Sequence, residues 1–196
     1  GQGSAPPSVR VTFPNTGAGG LVGASAVDRR TGETVGVEII ESPTVVTLPE
    51  IPTVGIRVVT PFRGMLGVRD DLLAEVCDWA EQSNLEVGGY GFLRLHVIDM
   101  RGEMDVEVGL MTRERVDCSG RVRAGVLPAG RYATLAYRGP GTATNRALIE
   151  WAAASGLEFD RRDVPEGDSF ACRYEAYLTD PKVEPHKKRW KIELAF

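Results

Sequence analysis

Glu175 is the residue whose type and surroundings most clearly suggest chemistry. It lies between Tyr174 and Tyr177 in a segment that alternates polar and apolar residues. A carboxylate beside aromatic rings can pair with a flat cation, and the rings add a cation–π attraction of about 0.5 to 2 kcal/mol. Alternation predicts that Arg173, Glu175 and Tyr177 share one face of a strand, opposite an apolar face. If the polar face lines a groove, Glu175 is a ligand anchor.

Two structural roles for Glu175 stay open on the same pattern. The carboxylate could be solvated at the protein surface, or it could form a cross-strand ion pair with an arginine such as Arg57 or Arg94. The ligand-binding role requires the polar face of this strand to point into the groove and not toward water.

Cysteine and histidine chemistry is not favoured. The cysteines Cys77, Cys118 and Cys172 are far apart and form no C-x-x-C pair, and the chain has only two histidines, His96 and His186. These spacings match neither a metal site nor a Cys–His nucleophile, so we expect no metal and no cofactor. Three unpaired thiols, with no signal-peptide pattern at the start, favour a cytoplasmic protein.

The overall charge limits the possible partners. Lys and Arg total 23, Asp and Glu total 27, and the net charge is -4. Direct binding of nucleic acid is not expected, because phosphate contacts need a basic surface. No apolar run approaches the roughly 20 residues of a membrane-spanning helix, so no membrane partner is expected either. The predicted partner is instead a small molecule bound in the groove described below, and the oligomeric state is left open.

Elements that could position Glu175 begin after residue 47. Residues 1–47 are rich in Gly and Pro and predict a β-like extension, with a hairpin turn at 29–32 and a loose turn, not a phosphate loop, at 17–20. From residue 48 the hydrophobic periodicity predicts strands and helices in a repeated order. They are a strand (54–59), a helix (70–83), strands 90–98 and 104–111, then a strand (132–137), a helix (145–155), and strands 171–179 and 190–196.

The repeated order indicates an internal duplication. Trp79 and Trp151 occupy the same helical position in the two halves, and Arg63-Gly64 aligns with Arg138-Gly139 ahead of each helix. We therefore predict an α+β fold for residues 48–196: two tandem β-α-β-β modules, about 48–115 and 116–196, related by pseudo-twofold symmetry. Their strands would form an antiparallel sheet with two helices packed on it.

The seam between the modules is the predicted binding site, because pockets form at such junctions with aromatic walls and a few polar anchors. Core packing is the alternative role for the helical Trp79 and Trp151. The predicted ligand-binding residues are Glu175, Trp190, Tyr137, Tyr90, Tyr177, Phe62 and Trp151.

Four segments resemble the GyrI-like family of small-molecule-binding domains, which is also attached to multidrug regulators. They are residues 48–52 (LPEIP), 128–132 (PAGRY), 174–181 (YEAYLTDP) and 190–194 (WKIEL). The resemblance covers about residues 45–196. It implies a central pocket for bulky, often cationic aromatic compounds, with Glu175 at the family's acidic anchor, Trp190 and Tyr137 at wall positions, and Tyr90 less firmly placed.

Three functions follow from the resemblance. The first is polyspecific binding or sequestration of aromatic drugs and dyes by a free-standing protein, since residues 1–47 show no helix-turn-helix pattern. The second is hydrolysis of cyclopropane-bearing natural products, with Glu175 and Tyr137 activating water. The third is a protein-interaction module of the gyrase-inhibitor type.

Overall fold

A computed structural model describes residues 37–196 throughout and, ahead of them, the backbone of three short strands. These are β1 (Val9–Val11), β2 (Ala26–Asp28) and β3 (Thr34–Val35), which pair antiparallel in that order as a small sheet. The turns predicted at 17–20 and 29–32 lie outside the described residues.

The main sheet contains ten antiparallel strands. They are β4 (Glu38–Leu48), β5 (Ile51–Pro61), β6 (Gly91–Ile98), β7 (Glu103–Met111), β8 (Arg123–Leu127), β9 (Gly130–Arg138), β10 (Arg161–Val164), β11 (Gly167–Phe170), β12 (Tyr174–Tyr177) and β13 (Ile192–Ala195). Eight of them run in the order β4-β9-β13-β12-β6-β7-β5-β8, while β11 pairs with β6 beyond β12 and carries β10 at its outer side.

All six strands predicted after residue 48 are present, with shifted ends. The pattern did not predict β8 or the β10–β11 hairpin, because these strands are short and lie at sheet edges, and those of the hairpin are also largely polar. Strand β4 pairs along β9 from Leu48 opposite Gly130 to Glu38 opposite Arg138, with two irregularities in register. Residues 38–48 are thus part of the main sheet. The division into an extension (1–47) and a domain (48–196) stays a prediction.

Two helices follow β5 and β9: α1 (Met65–Gln82) and α2 (Gly141–Ala154). Both begin earlier than predicted, because their first turns contain glycine and β-branched residues that favour helix weakly. Gly64 and Gly139 precede the helices with φ of 95° and 109°. Glycine adopts this left-handed conformation without strain, so each chain reversal from strand to helix starts at a glycine.

Both helices pack on the same face of the sheet, which we call the helix face. Val76 of α1 packs with Val106 of β7 in one buried cluster, and Leu148 of α2 packs with Leu135 of β9 in a second. The predicted α+β class, with two helices on a large antiparallel sheet, is confirmed. The internal duplication stays a prediction.

The opposite face of the sheet is buried as well. A third cluster joins Phe92, Tyr174 and Ala176 of the central strands with Leu127 of β8 and the partly buried Val46 of β4. Because β4 and β8 are the two outermost strands, the sheet must curl to bring them together over this cluster. Strand β12 is therefore covered on both sides, so the side chains on each of its faces lie inside the protein.

Candidate functional site

A cavity of about 780 Å³ opens on the helix face. The N-terminal ends of α1 and α2 form two of its sides, strands β6, β9, β12 and β13 supply its floor, and residues 187–192 close another side. The chain reversals at Gly64 and Gly139 bring the two helix starts to this place. The cavity therefore lies between the two halves of the domain, where the sequence predicted a seam.

Glu175 lies on the cavity floor. In the sheet it is opposite Leu93 of β6 and Leu194 of β13, and both leucines are fully buried on the helix face. The Asn145 side chain, from the first half of α2, donates a hydrogen bond from Nδ2 to Glu175 Oε1 at 3.3 Å. The strand thus places a carboxylate in an otherwise aliphatic row, and α2 supplies its hydrogen-bond donor.

Burial raises the pKa of Glu175 above its ordinary value, because the charged form loses its hydration. The hydrogen bond from Asn145 and the positive charges of Arg69 and Arg173 oppose this rise without cancelling it. The carboxyl group is therefore more easily protonated than an exposed glutamate.

Arg173 shares the floor with Glu175. Its Nη2 donates to Asn145 Oδ1 at 3.0 Å, so Asn145 connects the two charged groups. Its guanidinium lies over the rings of Phe196 and Phe170, at 4.1 and 5.0 Å from their centroids. No acidic side chain among residues 37–196 lies within ion-pair distance of it, and its buried Nε has no hydrogen-bond partner. Burial lowers the pKa of Arg173 to about 10.

Arg69 of α1 lies on another side of the cavity. Its guanidinium is 5.4 Å from the centroid of the Tyr177 ring, and Nη1 donates to the Tyr177 hydroxyl at 3.4 Å. Its Nη2 also donates to Asp70 at 2.8 Å, and Asp70 in turn accepts a hydrogen bond from Lys187. Although burial favours the neutral acid, the bonds from Lys187 and Arg69 hold the pKa of Asp70 below its ordinary value.

Four of the predicted ligand-binding residues line the cavity: Glu175, Trp190, Tyr137 and Phe62. Trp190 is anchored by a hydrogen bond from Nε1 to the Glu184 carbonyl oxygen at 2.7 Å. Phe62 is 37% exposed and lies at the mouth, whereas Trp190 and Tyr137 are almost fully buried. Two buried aromatic rings thus form part of the cavity wall, with one accessible ring at the entrance.

Tyr137 brings a buried hydroxyl to the site. Burial, followed by the negative charge of Glu175, raises the pKa of Tyr137 well above its ordinary value. A methyl group on Gly141, the first residue of α2, would lie 2.8 Å from the Tyr137 hydroxyl oxygen. Glycine at this position therefore lets the start of α2 close onto the tyrosine ring.

The other three predicted residues do not line the cavity. Tyr177 is buried behind its wall, against Trp190 at 5.7 Å between ring centroids. Tyr90 is 50% exposed and comes just before the first residue of β6. The cavity contacts β6 farther along the strand, at Leu95. Trp151 lies in the second half of α2 and packs against the second buried cluster. This is the core-packing role that the sequence offered as the alternative to ligand binding.

The cross-strand alternative for Glu175 is wrong. Arg57 forms a two-point ion pair with Asp105, with distances of 2.8 and 2.7 Å. Arg94 is opposite Tyr174 and points to the other face of the sheet, where its guanidinium donates to two backbone carbonyl oxygens. The face of β12 that carries Glu175 looks into the cavity.

Several cavity residues were not predicted from the sequence. Arg173 carried a signal, because alternation placed it on the same strand face as Glu175. Nothing in the sequence indicated Asn145 or Arg69. Both are far from Glu175 along the chain, and only the packing of the helices brings them near it. Within residues 37–196 and the three short strands, no group of three or more His, Cys, Asp or Glu side chains could hold a metal ion. No described helix is long and apolar enough to cross a membrane.

The sequence from residue 41 to residue 195 matches the model of the GyrI-like small molecule binding domain. The chain belongs to this family. The predicted family resemblance is therefore confirmed. No curated protein matches the chain.

Several solved structures share the fold. The C-terminal domain of EcmrR superimposes with a TM-score of 0.58 at 17% identity, covering 80% of this chain and 96% of that domain. EcmrR in its complex with DNA superimposes with a TM-score of 0.59 at 17% identity, covering 80% of this chain. This chain spans only 57% of the length of that EcmrR chain. SAV2435 bound to tetraphenylphosphonium superimposes with a TM-score of 0.50 at 14% identity, covering 79% of this chain and 92% of that one.

Proposed function

We propose that this GyrI-like chain binds bulky aromatic small molecules, such as drugs and dyes, in the cavity between α1 and α2. The observation that carries the proposal is Glu175, a half-buried carboxylate on the floor of a cavity of about 780 Å³ with aromatic walls. The volume suits a drug-sized ligand, since such pockets usually span about 300 to 1,000 Å³. Such binding would sequester the ligands.

Broad ligand specificity is part of the proposal. Trp190, Tyr137 and Phe62 offer flat surfaces that stack on many ring systems, and stacking imposes little directional selectivity. A ligand's positive centre would lie near Glu175, and its charge would lower the raised pKa of the carboxyl group. SAV2435, which shares the fold, was solved with tetraphenylphosphonium, an aromatic cation.

A fluorescence titration with rhodamine 6G tests the proposal on wild type, Glu175→Gln and Glu193→Gln. Glu193 is a matched control, because it is a partly buried carboxylate of β13 whose pKa burial also raises, but it does not line the cavity. We expect saturable binding by the wild type and the control. Loss of one charge pair in Glu175→Gln should weaken binding about tenfold, which corresponds to about 1.4 kcal/mol. Equal binding by all three proteins would contradict Glu175 as the anchor.

Hydrolysis is a second candidate, because Glu175 and the Tyr137 hydroxyl line the same cavity. A carboxylate could orient water while the phenol donates a proton to the leaving atom of a strained ring. Incubation with a cyclopropane-bearing alkylator, followed by mass spectrometry, should then show a product heavier by one water, and Tyr137→Phe should abolish it. Binding without any hydrated product would leave the first proposal alone. A gyrase-inhibitor-type interaction stays a prediction, for which recovery of a stoichiometric protein partner is the test.

A further inference from the structure

The cavity is far more basic than the protein as a whole. Glu175 is the only acidic residue among its described lining residues, although the chain carries a net charge of -4. The lining includes six basic residues, which are Arg63, Arg69, Arg146, Arg173, Lys187 and Lys188. Basic side chains are therefore concentrated at this one site against the balance of the chain.

Most of this positive charge is not neutralised locally. Asp70 pairs with Arg69 and Lys187. In the described part of the chain, no acidic group lies within ion-pair distance of Arg173 or of the basic residues that are exposed at the mouth. Those mouth residues are Arg63, Arg146 and Lys188.

Glu175 does not need a cationic ligand to balance its charge. When ionised, it already has the hydrogen bond from Asn145 and the nearby charges of Arg69 and Arg173. When protonated, it contributes no negative charge, and the cavity becomes more positive still. In both states the unbalanced charge of the lining is positive.

The backbone adds to the same field. The N-terminal ends of α1 and α2 both line the cavity, and neither helix has an acidic residue in its first turn or a side chain capping its first N–H groups. A helix N-terminus carries a partial positive charge of about half a unit. The helix ends thus add to the positive potential of the basic side chains, which define the site without them.

Apolar side chains are exposed among the basic ones. Phe62, Leu66, Met100 and Ile149 line the cavity with 37 to 56% of their surface exposed. Arg63 lies two residues before α1 and Leu66 lies in its first turn, while Arg146 and Ile149 lie three residues apart on one side of α2. The start of α1 and the helix α2 thus each offer both kinds of contact. Such a mouth suits a molecule with an apolar body and an anionic group.

We propose that the preferred ligands are aromatic compounds that carry an acidic group, held by Arg173 within the cavity and by Arg146 and Lys188 at its mouth. This inference rests on the proposed function and adds the chemical class of the ligand. The aromatic body stacks on the walls, and the anionic group neutralises the surplus positive charge of the lining.

Rhodamine 6G and its free acid, in which the ethyl ester is removed, provide the test. The two dyes share one cationic ring system and differ in whether a carboxylate is present. We expect the acid to bind about tenfold more tightly at low salt, and the preference to shrink as salt screens the exposed charges. Equal or tighter binding of the ester would overturn the inference while leaving the proposed function intact. If neither dye binds, the proposed function fails, and this inference fails with it.

Paired double variants assign the effect to the lining. Arg146→Gln with Lys188→Gln removes two mouth charges, whereas Arg131→Gln with Arg162→Gln removes two exposed charges that lie outside this cavity. The first pair should lower the preference for the acid to about threefold, chiefly by weakening binding of the acid, and the control pair should keep it near tenfold. An equal decrease in both would show a response to overall charge and would overturn the inference. All four positions are exposed, so folding should persist, and a denaturation midpoint checks it.

Discussion

The two faces of β12 carry different kinds of side chain, although both are covered by other parts of the protein. On one face Tyr174 packs edge-on against Tyr132, at 5.9 Å between ring centroids, and Ala176 lies beneath the curled sheet. On the helix face Glu175 lines a cavity and Tyr177 supports its wall. The strand therefore contributes to a solid core on one side and to a hollow on the other.

Two arginines sharpen this comparison. Arg94, on the core side, donates to the carbonyl oxygens of Val126 and Ala171 at 3.0 and 2.9 Å, and so joins β6 to two neighbouring segments. Within residues 37–196, the side chain of Arg173, on the cavity side, has only Asn145 as a hydrogen-bond partner and otherwise stacks on aromatic rings. We infer that the first arginine serves the fold and that the second is available to a ligand.

Phe92→Ala on the core side should have the largest effect on stability. Phe92 is fully buried in the third cluster, and a truncation of this kind costs about 3 to 5 kcal/mol through lost burial and the cavity left behind. Urea denaturation should show this loss, while the folded fraction keeps the dye affinity of the wild type. A cost below about 1 kcal/mol would mean that this face is not tightly packed.

Arg94→Met should cost about 1 to 3 kcal/mol, because two backbone carbonyl groups lose their donor, and the one on Val126 lies in a partly buried place. The ratio of affinities for rhodamine 6G and its free acid should not change. Arg173→Met, compared in the same titration, should reduce that ratio. If Arg94→Met reduced it as strongly, the distinction between the two faces would be lost.

Glu175→Gln should change how stability depends on pH. Burial raises the pKa of Glu175 in the folded protein, so the folded state binds this proton more tightly than the unfolded state does. Its contribution is fully present at pH below the ordinary pKa of 4.5 and is lost as pH rises toward the folded-state pKa.

The glutamine variant lacks this loss. Its free energy of unfolding should therefore improve relative to wild type between about pH 4 and about pH 7, by about 1.4 kcal/mol for each unit of pKa shift. Chemical denaturation at both pH values measures the gap, with the exposed Glu86→Gln as the control. A gap that stays constant with pH would argue against a raised pKa.

Phe62→Ala should have the smallest effect on stability, within about 0.5 kcal/mol, because the ring is 37% exposed at the cavity mouth. Dye binding should nevertheless weaken about fivefold, since one stacking contact contributes about 1 kcal/mol. The pair Phe92→Ala and Phe62→Ala thus separates the two faces: the first reduces stability, and the second reduces binding. Unchanged dye affinity in Phe62→Ala would remove this ring from the site.

Much of the fold could be predicted because its signals are local. Hydrophobic periodicity located α1 and α2 and the central strands, and the glycines ahead of each helix marked the strand-to-helix reversals. The β10–β11 hairpin was not predicted, since its short, polar strands contain no alternation of apolar residues. Helix starts were misplaced for a similar reason: Gly141 and Thr142 disfavour a helix locally, but packing at the cavity rim stabilises one there.

The sequence by itself determined that β12 would have one polar and one apolar face, because side chains alternate along any strand, and that Glu175 would share the polar face with Arg173. Only the tertiary structure decided where each face looks. The curl of the sheet buried the apolar side under β4 and β8, and the packing of α1 and α2 left a hollow over the polar side. The basic lining arose the same way, since its residues are brought together from distant segments by the folding of the chain.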